Sequence, residues 1–136
     1  MSRGLLLDTH TFLWLGARNA RIPADVRRRI ERRTDEVFLS VVVVFEACIK
    51  SALGKLALPP AIVANPAEGF ARVAQETGMT VLPIQLAHAA RTRDLPLHHR
   101  DPFDRLLIGQ ALEEDLTVVT HDRAFGRYDG LDIFWI

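Results

Sequence analysis

Hydrophobic and polar positions fall into blocks along the chain, and these blocks predict strands that alternate with helices. The runs at 4–7 and 116–120 are short and mainly apolar, without strict period-two alternation, which is typical of buried strands. The segment 102–114 instead carries apolar residues at helical spacing. Apolar strands separated by helices indicate an α/β fold with a parallel sheet that is covered on both faces.

The remaining blocks extend this alternation. We predict further strands at 79–82 and 131–136, helices at 11–17, 23–33 and 85–93, a loop at 95–100 and a helical turn at 124–128. Another helix begins at Asn65, which is followed by proline at the first helical position and by Glu68 at the third. That helix is expected to end near Gly78.

The segment 37–53 allows two interpretations. Its valines and phenylalanines favour one long strand. Ser40 can also cap a helix that continues to Gly54. We prefer a strand at 37–39 followed by a helix from Val41.

Length and composition fit one domain over residues 1–136. Nearly half of the residues, 49%, are hydrophobic, so a core can form without disulfides. The 17 basic residues balance the 17 acidic ones, which excludes a generic nucleic-acid coat. The arginines at 27–33 are better explained as the solvated face of a helix than as a phosphate-binding surface.

The sequence predicts a cytoplasmic protein with no membrane association. The apolar run at the start stops at Asp8, so it does not form a signal peptide. No apolar stretch approaches the roughly 20 residues that span a bilayer. The single cysteine, Cys48, is consistent with a reducing compartment.

Four acidic residues are placed to meet at one edge of the predicted sheet. Asp8 ends the first strand, Glu46 lies in the helix after the second, and Asp122 follows the strand at 116–120. Asp104 lies in the first turn of the helix at 102–114. Because ligands bind beyond the carboxyl ends of parallel strands, we expect these side chains to converge there.

Convergent carboxylates indicate a hard divalent cation. Like charges repel, and burial adds to the cost unless a cation compensates them. Mg²⁺ or Mn²⁺ fits an all-oxygen ligand set better than Zn²⁺ does. Such a site suits hydrolysis of a phosphodiester.

Each acid also has a purely structural interpretation. Asp8 can cap the following helix, and Asp122 can begin a turn. Asp101 precedes Pro102 and fits the cap position of its helix, with Asp104 favoured by the helix dipole. Glu46 is the hardest to explain this way, because its helical segment is otherwise apolar.

Histidines and threonines near the acids are candidates for supporting roles. We expect His98 and His99 to lie in a solvated loop rather than in a metal site. His10 and His121 flank the predicted cleft, and His10 is a candidate for substrate binding. Thr9 and Thr120 are placed to orient carboxylates or metal-bound water, and Thr120 is also a candidate for substrate binding.

Four blocks, in order, resemble PIN-domain toxins of the VapC type. The first is Leu7-Asp8-Thr9-His10-Thr11-Phe12-Leu13-Trp14, and the second is Glu46 followed by Lys50, Gly54, Lys55 and Leu56. The third and most specific is His99-Arg100-Asp101-Pro102-Phe103-Asp104-Arg105-Leu106-Leu107-Ile108. The fourth is Val118-Val119-Thr120-His121-Asp122-Arg123-Ala124-Phe125. Gly109 stands where the pattern usually has alanine, which is expected to soften the helix by up to ~1 kcal/mol.

The resemblance implies a three-layer α/β/α fold with a mainly parallel, twisted sheet. It implies Mg²⁺- or Mn²⁺-dependent cleavage of RNA by the toxin of a type II toxin–antitoxin pair, with an antitoxin protein as partner. Carried over by position, Asp8, Glu46, Asp104 and Asp122 are the catalytic and metal-binding acids. Asp101 is an additional metal-ligand candidate, and Arg105 is a candidate for contact with phosphate.

Other functions remain open at this point. The acids are also compatible with a non-catalytic module that binds metal or a basic partner, and an acid–metal site also fits a nuclease acting on DNA. A phosphatase with an aspartate nucleophile would place a second aspartate where His10 stands.

Apolar residues such as Trp14, Phe103 and Trp135 could form a homodimer or partner surface.

Overall fold

The predicted alternation of strands and helices is present in the computed structural model, which describes residues 3–136. Five strands form one all-parallel sheet in the order β3-β2-β1-β4-β5. The strands are β1 (Gly4–Leu7), β2 (Val37–Ser40), β3 (Thr80–Leu82), β4 (Leu116–Thr120) and β5 (Ile133–Trp135). Every residue of β1 and β2 is buried, as expected for central strands covered on both faces. The three-layer α/β/α prediction is confirmed.

Seven α-helices and two 3₁₀ turns connect and cover the described strands. The helices are α1 (Thr9–Gly16), α2 (Ala24–Glu31), α3 (Val41–Ala52), α4 (Pro60–Ala64), α5 (Pro66–Thr77), α6 (Leu86–Arg91) and α7 (Pro102–Glu114). The 3₁₀ turns are Thr92–Asp94 and Arg123–Arg127. The sequence did not predict α4, and α1 begins two residues earlier than expected. Within residues 3–136, no helix has the length and hydropathy needed to cross a membrane.

Ser40 resolves the ambiguous segment in favour of a strand followed by a helix. Its Oγ accepts a hydrogen bond from the backbone N–H of Val42 at 3.0 Å, so it caps α3 as the sequence predicted. The same hydroxyl donates to Oε1 of the buried Gln110 at 2.5 Å. The strand therefore ends where α7 meets it, and α3 starts at the carboxyl edge of the sheet.

His88 is a fully buried histidine whose two ring nitrogens both have partners. Its Nδ1 accepts a hydrogen bond from the backbone N–H of Gln85 at 3.0 Å, and its Nε2 lies 3.1 Å from Oε1 of Glu114. The first contact places the ring proton on Nε2, which donates to the carboxylate. This histidine ties α6 to the end of α7 and is satisfied within the fold.

Gly109 lies where α6 crosses α7 at very short range. A Cβ at this position would be 2.8 Å from the backbone oxygen of His88. The glycine is therefore required by helix packing, in addition to the expected loss of helix propensity.

Candidate active site

The carboxyl edge of the sheet gathers the predicted acidic residues. Asp8 directly follows β1, and Asp122 follows β4 by two residues, while Glu46 and Asp104 reach the same edge from α3 and α7. Partial burial is the main cause that raises the pKa of Asp104 from 3.8 to about 8. Carboxylate charges contribute the rest of this increase, those of Asp101, Glu46, Asp8 and Asp122. The charges of the predicted acids therefore all act on Asp104, while the ligand atoms that lie within 4.8 Å of one another are those of His99, Asp104 and Asp122.

Asp8 is buried, with 6% of its surface exposed, and both carboxylate oxygens accept hydrogen bonds. Oδ1 accepts from the backbone N–H of Thr11 at 2.9 Å, so Asp8 does cap α1. Oδ2 accepts from the hydroxyl of Thr120 at 2.5 Å. The Thr120 oxygen in turn accepts from the backbone N–H of Asp122 at 3.0 Å. Thr120 therefore connects two acids of the cluster and fixes their relative position.

Glu46 is more deeply buried, at 3% exposure, and is held from two sides. Thr9 donates its hydroxyl proton to Oε1 at 2.5 Å. Lys50, one helical turn later on α3, forms an ion pair with Oε2. The hydrogen bond from Lys50 to Glu46 is the main cause that raises the pKa of the lysine. The protein thus compensates part of the negative charge at this position itself.

Asp101 caps α7, as its sequence position predicted. Its Oδ1 accepts from the backbone N–H groups of Phe103 and Asp104, at 2.8 Å and 3.2 Å. The cap fixes the first turn of α7 and so the direction in which Asp104 leaves it. Its role as a metal ligand stays a prediction.

His99 contradicts the expectation of a solvated loop. His98 is exposed, but only 8% of His99 is accessible, and its ring lies inside the site. Its Nε2 is 3.3 Å from Oδ2 of Asp122 and 3.8 Å from Oδ2 of Asp104. Local sequence carries little signal for this, because the ring is buried by Phe125 and Tyr128, from a segment more than 25 residues later.

Arg105 makes a different set of contacts from the predicted one with phosphate. Its guanidinium donates to four backbone carbonyls, of Thr92, Leu95, Pro96 and His99, at 2.8 to 3.4 Å. These bonds anchor the loop that carries His99 onto α7. The contact with phosphate stays a prediction, and the position of Arg105 supports the site through this loop.

An aromatic cleft adjoins the acids on the side of Asp8 and Asp122. It encloses about 430 Å³ and is lined by Asp8, His10, Trp14, His121, Asp122 and Arg123. Trp14 is its partly buried wall, with the rings of His10 and His121 at centroid distances of 5.7 Å and 5.9 Å. Both histidines are exposed, so His10 lies where the sequence predicted a contact with substrate.

The residues present fit a divalent cation. Carboxylates crowd together, and the pKa of Asp104 is raised, so the uncompensated cluster favours a bound proton. Ligand atoms of His99, Asp104 and Asp122 all lie within 4.8 Å of one another. Carboxylate oxygens are ligands that hard divalent cations prefer.

Comparisons with known proteins agree with this architecture. Solved structures with the same fold include DNA-bound VapBC from Salmonella typhimurium, at 22% identity, a TM-score of 0.66 and 96% coverage of both chains. VapBC2 from Rickettsia felis, bound to a promoter DNA fragment, matches at 15% identity and a TM-score of 0.68, over 97% of this chain and 98% of that one. FitAcB from Neisseria gonorrhoeae matches at 23% identity, a TM-score of 0.65 and 96% coverage of both chains.

Comparisons of the amino-acid sequence identify a family but no individual relative. A search of curated protein sequences found no significant match. The family model for the PIN domain, in contrast, matches residues 5–131 and so includes the four acids and His99. This chain belongs to the PIN-domain family.

Proposed function

We propose that this chain is a metal-dependent endoribonuclease that acts as the toxin of a type II toxin–antitoxin pair. The observation that carries the proposal is the convergence of Asp8, Glu46, Asp104 and Asp122 at one sheet edge, with the pKa of Asp104 raised to about 8. Membership of the PIN-domain family and the likeness in fold to VapBC complexes support it.

The four acids would hold Mg²⁺ or Mn²⁺, with Asp101 as a further candidate ligand. When bound, the cation supplies positive charge against the phosphodiester and the developing charge of the leaving group. Thr120 and Thr9 hold Asp8 and Glu46 in fixed orientations through their hydroxyl groups. Fixed carboxylates avoid reorganisation during the reaction.

The substrate is single-stranded RNA in this proposal. The cleft beside Asp8 offers the rings of Trp14, His10 and His121 to an unpaired base, and stacking on aromatic side chains is a common mode of RNA recognition. Arg123 lines the same cleft and supplies positive charge for a phosphate. Thr120 contributes by orienting Asp8 through its hydroxyl group. Arg105 contributes by holding the loop that carries His99.

The reaction is hydrolysis with water as nucleophile. The water oxygen bonds to phosphorus as the P–O3′ bond breaks, and a proton of that water ends on the 3′ oxygen. The products are a 5′-phosphate and a 3′-hydroxyl. Ends carrying 2′,3′-cyclic phosphate would contradict this step, because they identify the ribose hydroxyl as nucleophile.

The test is cleavage of a mixed cellular RNA pool by purified protein freed of antitoxin. We expect cutting in Mg²⁺ or Mn²⁺, none in EDTA, and loss in Asp8→Asn and Asp104→Asn. Asp25→Asn, at an exposed position in the first turn of α2, is the matched control and should cut normally. Absence of cutting by folded protein at several metal concentrations would favour a non-catalytic binding module. Equal cutting of single-stranded DNA would favour a less selective nuclease.

An antitoxin protein, a homodimer and a cytoplasmic location complete the proposal. Trp14, Phe103 and Trp135 are partly buried against the core. Phe45 on α3 is 53% exposed and contacts Phe103 edge-on at 5.5 Å. An apolar pair of this kind is suited to a protein partner. Co-purification of an antitoxin protein with this chain tests the first assembly, and mass measurement of the purified chain in solution tests the homodimer.

A further inference from the structure

We infer that His99 is a nitrogen ligand of the divalent cation, and that it makes this site select Mn²⁺ over Mg²⁺. The inference rests on the metal-dependent part of the proposed function. It does not depend on which nucleic acid is cut, or on whether any is.

The geometry places one nitrogen among carboxylate oxygens. Nε2 of His99 lies 3.3 Å from Oδ2 of Asp122 and 3.8 Å from Oδ2 of Asp104. The second distance is too long for a hydrogen bond. Both separations fall in the range expected of neighbouring ligands, since atoms about 2.1 Å from a common ion lie roughly 3 Å apart or somewhat more.

His99 differs from a histidine that serves only the fold. His88 is also buried, and both of its ring nitrogens have partners. In His99 the buried Nδ1 has no hydrogen-bond partner within residues 3–136. Burying an unpartnered ring nitrogen costs free energy, which a strong interaction at the other nitrogen can offset.

The ring of His99 is held in position by packing, because no hydrogen bond to Nδ1 from the described residues holds it. The ring stacks on Tyr128 at a centroid distance of 5.6 Å and an interplanar angle of 13°. Phe125 contacts it edge-on at 5.0 Å. The hydroxyl of Tyr128 accepts a hydrogen bond from the backbone N–H of His99 at 2.9 Å, and Arg105 binds the carbonyl. These contacts fix the ring and the backbone that carries it before any cation arrives.

The identity of the donor atom predicts the metal preference. Mg²⁺ strongly prefers oxygen ligands, whereas Mn²⁺ stands higher in affinity for sites that include imidazole. We therefore expect the nitrogen to strengthen binding of Mn²⁺ and to contribute little to binding of Mg²⁺. Removal of the nitrogen should lower Mn²⁺ affinity about tenfold or more and Mg²⁺ affinity less than about threefold.

The experiment is pulsed electron paramagnetic resonance of the intact protein loaded with Mn²⁺. We expect modulation from a directly coordinated ¹⁴N nucleus in the wild type, and its loss in His99→Gln. His98→Gln is the matched control, because that neighbouring histidine is exposed, and it should keep the signal. Titrations with Mn²⁺ and Mg²⁺ of the same three proteins give the two changes in affinity.

Several results would overturn the inference. Absence of coordinated nitrogen in wild type that binds Mn²⁺ would make His99 only a hydrogen-bonding neighbour of Asp122. A signal that persists in His99→Gln would assign the nitrogen to another histidine, such as His10 or His121. The wild-type spectrum decides the first point even if the variant fails to fold. Coordinated nitrogen without RNA cleavage would support this inference while contradicting the proposed function.

Discussion

Replacing Asp104 with asparagine is expected to stabilise the metal-free protein. The pKa of Asp104 is raised to about 8, first by burial and then by the charges of the neighbouring acids. The folded state therefore binds a proton at Asp104 that the unfolded chain releases near pH 4. The stability associated with this proton is fully present below that pH and is lost as pH rises through about 8.

The magnitude follows from the difference between the folded and unfolded pKa. With a folded pKa of about 8 and about 1.4 kcal/mol per unit, ionisation in the unfolded chain lowers the free energy of unfolding by about 4 kcal/mol at pH 7. Asparagine carries no charge at any pH, so it avoids this loss. Because its amide does not reproduce every contact of the protonated acid, we expect a net gain of about 2 kcal/mol.

The assay is urea denaturation in EDTA at pH 5, 7 and 8.5, comparing wild type with Asp104→Asn. The difference in unfolding free energy should be smallest at pH 5 and should widen with pH. Asp25→Asn, the exposed control on α2, should stay within about 0.5 kcal/mol of wild type at each pH. Added Mn²⁺ should reverse the order, because only the intact cluster gains the full free energy of binding.

A flat difference across this pH range would refute the electrostatic argument. It would mean that Asp104 is ionised in the metal-free fold at neutral pH. An Asp104→Asn protein that is less stable than wild type at pH 8.5 in EDTA would refute it more directly, because the carboxylate would then be a net stabilising group.

Further predictions concern packing and the support of the site. Gly109→Ala should cost about 1–3 kcal/mol in urea denaturation, since the new Cβ meets a backbone oxygen of α6 at 2.8 Å. Gly16→Ala, where a Cβ has nothing within 4 Å, should be neutral or stabilising. Thr120→Val removes the hydroxyl group that donates to Asp8. It should lower the rate constant of RNA cleavage, measured in single-turnover assays, tenfold or more while the fold is retained. Arg105→Lys gives up most of four carbonyl contacts and should weaken Mn²⁺ binding, measured by titration, by several-fold.

The sequence predicted the parts of the fold that depend on local pattern. Ser40 favoured the correct one of two interpretations, a strand and then a capped helix, because the cap is a contact between residues two apart. The five-residue α4 was missed because a single short turn beginning at Pro60 carries almost no periodic signal. The predicted ends of other elements differ by a few residues, as at α1, where the cap of Asp8 starts the helix at Thr9.

In the candidate site, too, some residues could be predicted from local sequence and others could not. The acids were predictable because they follow central strands or begin a helix, so that the sheet itself brings them together. His99 was not predictable, because its burial depends on Tyr128 and Phe125, which a different part of the chain provides. The contacts of Arg105 with backbone carbonyls were hidden for a similar reason, since the shape of the loop decides them.

The order of strands also has a consequence for synthesis of the chain. β1 precedes the other described strands in the chain, yet its neighbour on one side is β4, more than 100 residues later. Until β4 leaves the ribosome, β1 has an open edge and Asp8 lacks the Thr120 hydroxyl that orients it. Asp122 is then also missing from the cluster. A growing chain therefore cannot bring the four acids together until β4 and Asp122 have both been translated.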